Sequence, residues 1–145
     1  MKIAVFAGTF DPFTIGHQDI VNRALPLFDK IIIAIGVNEE KTPLFPLVER
    51  VKRIKKIFIH HNNIDVETYT GLTGDFCKKQ NAQYLIRGIR NSIDFQYEND
   101  LAQVNKELFE LETIFFITHP TLTHISSSLV RGLFKNKGDY KKYLP

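Results

Sequence analysis

The sequence predicts an α/β fold, a parallel five-stranded sheet with helices on both faces. Two observations carry that expectation. Five short apolar runs alternate with stretches of helical spacing, and strand and helix in strict alternation, joined by right-handed crossovers, build a parallel sheet. Several runs are also apolar throughout rather than at every second position, as strands buried on both faces must be. The 145 residues suit one domain spanning 1–145, long enough to bury a core.

The first strand candidate is KIAVFAG, residues 2–8. Ile20, Val21, Ala24, Leu25 and Phe28 follow at helical spacing, with Pro26 expected to kink or end that helix early, since proline cannot donate to the helix and clashes with the preceding turn. KIIIAIGV (30–37) is the second strand. The two-proline stretch 38–50, NEEKTPLFPLVER, reads as a loop entering a helix whose apolar positions are Val48, Val51, Ile54 and Phe58. IDVETYT (64–70) is the third strand, followed by helical Leu72, Phe76 and Cys77. YLIRGI (84–89) is the fourth, followed by a longer helical pattern from Phe95 to Leu108. TIFFIT (113–118) is the fifth. An amphipathic run then starts at three serines, and the Lys-rich end reads as a solvated face.

Composition narrows the function classes. Hydrophobic residues at 43% and charged residues at 24% are ordinary for a globular domain. A net charge of +3 suits a polyanion site but is too mild to imply nucleic acid. The single cysteine, Cys77, rules out an internal disulfide and a Cys-based zinc site; it reads as core. No apolar run approaches the roughly 20 residues of a membrane span, and the chain begins with a strand rather than a signal peptide, so a cytoplasmic location is expected.

In an open parallel sheet, ligands bind beyond the carboxyl ends of the strands where strand order reverses. After the first strand come Gly8, Thr9, Phe10 and Asp11, then Thr14, Gly16 and His17. Gly8 permits close backbone approach, Thr9 offers a hydroxyl, and a helix starting near His17 would aim free N–H groups at an anion. This is a phosphate-binding pattern, yet neither Gly-x-Gly-x-x-Gly nor the P-loop. A glycine turn with a histidine helix cap would explain the same residues. After the fourth strand, Arg87 and Arg90 flank Gly88, and both guanidinium groups could fork onto phosphate oxygens; ion pairs with Asp94 or Glu98 are the alternative. After the fifth, Ser126 could cap a helix, and the hydroxyls and N–H groups of Ser126, Ser127 and Ser128 could hold a phosphate. Lys41 is a further cation at this edge, or a solvated loop lysine. His60 and His61 read as a polar helix end, and no Asp or Glu spacing joins His119 and His124 into a metal ligand set.

These residues also form motifs. Thr14-Ile15-Gly16-His17 closely resembles the first motif of the nucleotidyltransferase superfamily, Thr/His-x-Gly-His, and ISSSLVR (125–131) resembles its second. With IRGIR, DFQYE and Asn105, the resemblance narrows to the phosphopantetheine adenylyltransferase family and runs from residue 2 to residue 145. It implies a Rossmann-like fold, usually assembled as a homohexamer. It also implies transfer of AMP from ATP to 4'-phosphopantetheine, the penultimate step of coenzyme A synthesis, giving dephospho-CoA and pyrophosphate with Mg2+ as cofactor. Feedback inhibition by coenzyme A is expected as well.

The resemblance carries ATP contacts onto Gly8, Thr9, Phe10, His17, Arg87, Gly88, Arg90 and Glu98. It adds the segment Leu122, Thr123, His124, Ile125, Ser126, Ser127 and Ser128, although Leu122 stands where relatives often place an aromatic. Phosphopantetheine contacts fall on Thr9, Lys41, Leu72, Thr73, Arg87 and Asn105. Catalytic roles fall on His17, Thr9, Lys41 and Arg90. The attacking phosphate is already an anion, so direct attack on the α-phosphorus needs no general base and no covalent enzyme intermediate. Thr9 would orient that phosphate, His17 would donate where charge builds up, Lys41 and Arg87 would hold the incoming phosphate, and Arg90 with the serines the leaving end. Asp11 is the nearest candidate for an outer-sphere role toward the metal. Relatives usually continue past Tyr143-Leu144-Pro145 into a further helix. A sister adenylyltransferase using nicotinate mononucleotide, or a cytidylyltransferase, is the nearest rival; a nucleic-acid-binding module would want an exposed aromatic platform or a clustered basic stripe, and the lysines here are scattered along amphipathic helices.

Overall fold

The computed structural model describes residues 1–145. Five strands, β1 (Ile3–Gly8), β2 (Lys30–Gly36), β3 (Ile64–Tyr69), β4 (Tyr84–Ile89) and β5 (Glu112–Ile117), form one sheet in the order β3-β2-β1-β4-β5. Every neighbouring pair is parallel. The order reverses between β1 and β4, so the crevice beyond their carboxyl ends is the expected ligand site of this Rossmann-like arrangement. The strand expectations from sequence hold to within a residue or two at each end.

Both faces are covered. Ala4 and Phe6 of β1, with Ile31, Ile33 and Ile35 of β2, pack against α1 (Ile15–Ala24) and α2 (Leu47–Ile57). The alternate residues Val5, Ala7, Ile32 and Ala34 face Phe76 and Cys77 of α3 (Thr73–Lys79) and Phe109 at the end of α4 (Ser92–Phe109). Apolar residues on both sides of one strand are what two helical layers demand. Cys77 is fully buried and burial pushes its thiol up to about 12, which fits the core reading.

Local chemistry sets the helix ends. Thr14 caps α1, and Pro26 stops it: the helix closes at Ala24 and passes into a single 3-10 turn, Leu25–Leu27. Ser126 caps α5 (Ser127–Lys135), its Oγ accepting the Leu129 N–H at 3.1 Å. Two apolar positions differ from expectation. Val48 is exposed and Leu47 packs on the core instead, because Pro46 starts α2 and fixes which side of its first turn faces inward. Leu72 precedes α3 rather than lying in it and is exposed. In α4 only Glu98 of 18 residues is buried, so the apolar pattern from Phe95 to Leu108 faces largely outward.

Candidate active site

At the β1–β4 crevice a cleft of about 250 Å³ opens between two helix N-termini. Gly16 and His17 of α1 line one side, Ser126 and Ser127 at the start of α5 another, and Arg87, Gly88 and Arg90 the β4 side. The first N–H groups of a helix have no intrahelical partner and carry the positive end of its dipole. Two such ends aimed into one cleft make an anion site.

His17 is bound as both cap and cleft residue. The Thr14 N–H donates to His17 Nδ1 at 2.9 Å, and the His17 N–H donates to Thr14 Oγ1 at 3.4 Å, a complete capping box. A backbone N–H can only donate, so Nδ1 carries no hydrogen and the neutral ring bears it on Nε2. Phe10 and Phe13 pack on the ring with centroids 5.1 and 5.2 Å away. Burial, then the charges of Arg87 and Arg90, lower its pKa from 6.5 to about 4. The cleft therefore meets a neutral imidazole with one fixed donor. His17 thus takes part in the capping box, with Thr14 as the N-cap, and also lines the cleft.

The two arginines are also paired with carboxylates. Arg87 donates from Nε and Nη2 to the two Glu98 oxygens at 2.8 and 2.6 Å, and from Nη1 to the Ala7 carbonyl at 2.8 Å. Arg90 Nε donates to Asp94 Oδ2 at 3.1 Å. Despite the cost of burying it, Arg87 is held protonated more firmly than a free arginine by its bonds to Glu98. Both ion-pair alternatives drawn from the sequence are thus present. Three of the five N–H donors of Arg87 are engaged, leaving two.

A second cleft, about 330 Å³, lies on the other side of this pair between β4, α3 and α4. Leu72, Thr73, Leu101, Asn105 and Phe109 line it, largely apolar, and Arg87 and Glu98 line both clefts. Thr73 Oγ1 lies 2.9 Å from the Tyr69 hydroxyl. Gly74 lets α3 approach α4, since the Phe109 ring occupies the space a Cβ would need.

The remaining sequence candidates fall in three groups. Phe10, Leu122 and Ile125 line the first cleft; Gly8 and Thr9 line an open groove beside it with residues 36–40 and 69–71. Lys41 is exposed in the loop next to that groove and lines neither cleft. Thr123, His124 and Ser128 do not line the first cleft: the Thr123 hydroxyl donates to the Pro120 carbonyl, His124 is exposed, and Ser128 accepts from Arg131. Asp11 is buried, and its two carboxylate oxygens accept the Leu44 and Phe45 N–H groups at 2.8 and 2.9 Å. No group of three or more His, Cys, Asp or Glu is arranged to hold a metal ion.

Sequence reasoning passed over Arg50 and Arg131. Arg131 Nη1 donates to the Asp11 carbonyl at 2.9 Å, and Ser127 Oγ to the Pro12 carbonyl at 2.8 Å. The second motif therefore grips the loop of the first. Its position as the last residue of ISSSLVR was the available signal.

A family model described as "Cytidylyltransferase-like" matches residues 5–133. Among curated proteins, the chain is 52% identical to a phosphopantetheine adenylyltransferase of Cytophaga hutchinsonii, covering 99% of this chain and 97% of that one. It is 48% identical to one of Flavobacterium psychrophilum (100% and 96% covered) and 46% identical to one of Limosilactobacillus reuteri (100% and 84% covered). Among solved structures, a bifunctional NMN adenylyltransferase/ADP ribose pyrophosphatase of Francisella tularensis superposes with a TM-score of 0.77 at 19% identity, over 99% of this chain and 44% of that one. A lipopolysaccharide core biosynthesis protein of Thermoplasma volcanium gives 0.58 at 16% identity, over 82% and 97%. At such identities these two structures speak for the fold alone.

Proposed function

The chain belongs to the phosphopantetheine adenylyltransferase family of nucleotidyltransferases, and from that premise we propose that it transfers AMP from ATP to 4'-phosphopantetheine in coenzyme A synthesis, releasing pyrophosphate. One observation carries the reading at the site: a cleft edged by two helix N-termini and a largely apolar cleft meet at a single arginine, Arg87. A nucleoside triphosphate suits the first, a phosphate on a long uncharged arm suits the second, and their reacting groups would meet at the shared wall.

The chemistry asked of the protein is positioning and charge stabilisation. The attacking phosphate is an anion and needs no base, so the transfer proceeds by direct attack without a covalent enzyme intermediate. Arg87 offsets repulsion between the two substrates, which face each other across it. His17 donates Nε2–H to the reacting phosphate, and Arg90 with the α5 N-terminus holds the leaving pyrophosphate. Thr9 and Lys41, which line neither cleft, would reach the incoming phosphate from the loops after β1 and β2. The carboxylates around the cleft are already engaged with arginines or backbone N–H groups, so the chain offers no dedicated metal cage. Mg2+ would come with the triphosphate oxygens, as is common for this ion.

A homohexamer in the cytoplasm and feedback inhibition by coenzyme A complete the proposal. Ile93 and Tyr97, one turn apart at the start of α4 and outside both clefts, leave exposed apolar surface which a second copy would cover. Coenzyme A shares the nucleotide and the pantetheine arm, so it fits the same pair of clefts. No helix is long and apolar enough to cross a membrane.

The test is pyrophosphate release from ATP and Mg2+ with 4'-phosphopantetheine in one tube and nicotinate mononucleotide in another. Release with phosphopantetheine alone is expected. Release with the mononucleotide alone, or with neither, would overturn the assignment.

A further inference from the structure

Arg50 is a guanidinium buried in the α2 layer with no carboxylate partner. The residue is 5% exposed, and its guanidinium donates only to backbone carbonyls: Nε to Phe45 at 3.0 Å and Nη1 to Thr9 at 2.7 Å. A buried, uncompensated cation is expensive, so a chain that keeps one there is using its geometry. Thr9 O belongs to the turn after β1, and the next residue, Phe10, has φ +49°, which an aromatic residue adopts only when its surroundings impose it.

Asp11 makes the reciprocal connection. Its carboxylate accepts from Leu44 and Phe45 N–H while Arg50 donates to the carbonyls of Phe45 and Thr9. The turn after β1 and the loop after β2 are thus stapled together by charge-assisted bonds running both ways. Lys41 sits three residues before Leu44 on that loop. Nothing else among the side-chain hydrogen bonds ties residues 41–45 to the β1 turn.

We infer that Arg50 is a positioning residue for the acceptor side of the transfer, fixing the Thr9 turn and the Lys41 loop relative to one another without touching either substrate. The inference rests on the proposed phosphopantetheine reaction. It adds a residue that the motifs do not contain and gives Asp11 a structural task in place of one at a metal.

Steady-state kinetics on Arg50→Lys and Arg50→Met test it, because misplacing a positioned group by about 1 Å costs up to a hundredfold. The expected result is a rise of about tenfold or more in KM for phosphopantetheine, a lower kcat, and a clearly smaller rise in KM for ATP, because Phe10 of the same turn lines the first cleft, with Arg50→Lys recovering part of the loss. Lys41→Ala combined with Arg50→Lys should be little worse than the poorer single variant, because both act through one loop. An equal loss toward both substrates, unchanged kinetics, or full additivity with Lys41→Ala would each overturn the inference. If Arg50→Met does not fold, Arg50→Lys and Asp11→Asn carry the same comparison. A wild-type protein inactive with phosphopantetheine would instead refute the reaction on which the inference rests, whereas wild-type turnover with unmoved variants refutes the inference alone.

Discussion

His17 should make this protein acid-labile in a way that one substitution removes. Its folded pKa of about 4 lies below the 6.5 of an unfolded chain. Between those values the unfolded state holds a proton that the folded state refuses, so acid favours unfolding. The stability involved is intact above pH 6.5 and is lost as pH falls from 6.5 toward 4. At 1.36 kcal/mol per pKa unit, the depression from 6.5 to about 4 corresponds to roughly 3 kcal/mol.

His17→Gln separates this effect from general acid denaturation. The variant keeps a side-chain acceptor that can reach the Thr14 N–H but has nothing to titrate. Urea unfolding from pH 7 to pH 4 should show wild type losing roughly 3 kcal/mol more than the variant, even if the variant starts about 1 kcal/mol lower for a poorer cap. Proton NMR of the imidazole should place its midpoint near pH 4 in the free protein, and ATP should raise it, since the anion favours the charged ring. Parallel pH curves for the two proteins, or a midpoint near 6.5, would refute the argument that burial sets the neutral state.

Three other substitutions probe the clefts. Glu98→Gln leaves Arg87 facing an amide; with the Arg87 side chain 33% exposed and partly rescued by water, a loss of about 2 kcal/mol is expected, visible as a fall of about 5 °C in thermal unfolding. Arg90→Ala should weaken ATP binding by about tenfold or more while leaving phosphopantetheine affinity unchanged in calorimetry, since Arg90 lines only the first cleft. Gly74→Ala drives a methyl group into the Phe109 ring and should cost about 2 kcal/mol or more in urea unfolding, with weaker phosphopantetheine binding because both Gly74 and Phe109 line the second cleft.

What could be read from the sequence follows from how local each signal is. The strands are legible because burial on both faces leaves runs such as KIIIAIG with no polar position to confuse the period. Ser126 and Pro26 act within one helical turn, and their effects appear as expected; at α1 the N-cap is Thr14, where the sequence reading offered the histidine. Val48 was misplaced because a one-residue uncertainty in where α2 starts rotates its apolar face by about 100°. The Arg50–Asp11 staple was illegible for another reason. It spans 33 to 41 residues in the chain, and in each of its bonds one partner is a backbone group, which carries no sequence signal. In a list of residues Arg50 is one more cation on a basic helix; only the fold shows it buried.

The arginines show why two competing readings of a residue need not exclude one another. Glu98 and Asp94 pair with Arg87 and Arg90, whose charges still reach His17 and, with its burial, keep it uncharged. To that positive side of the cleft α1 and α5 add their N-terminal N–H groups, fixed by the caps at Thr14 and Ser126. A guanidinium held on two sides by a carboxylate and the Ala7 carbonyl cannot swing toward a substrate, yet it still presents its unused N–H donors along fixed directions. That arrangement weakens the raw Coulomb pull on a substrate and removes the reorganisation that a free arginine would undergo as charge develops. Preorganised donors act in the transition state more than in the ground state. On the proposed mechanism the Arg87–Glu98 pair would therefore give up some substrate affinity for fixed geometry at the wall the two clefts share, and a free cation at that wall would do the reverse.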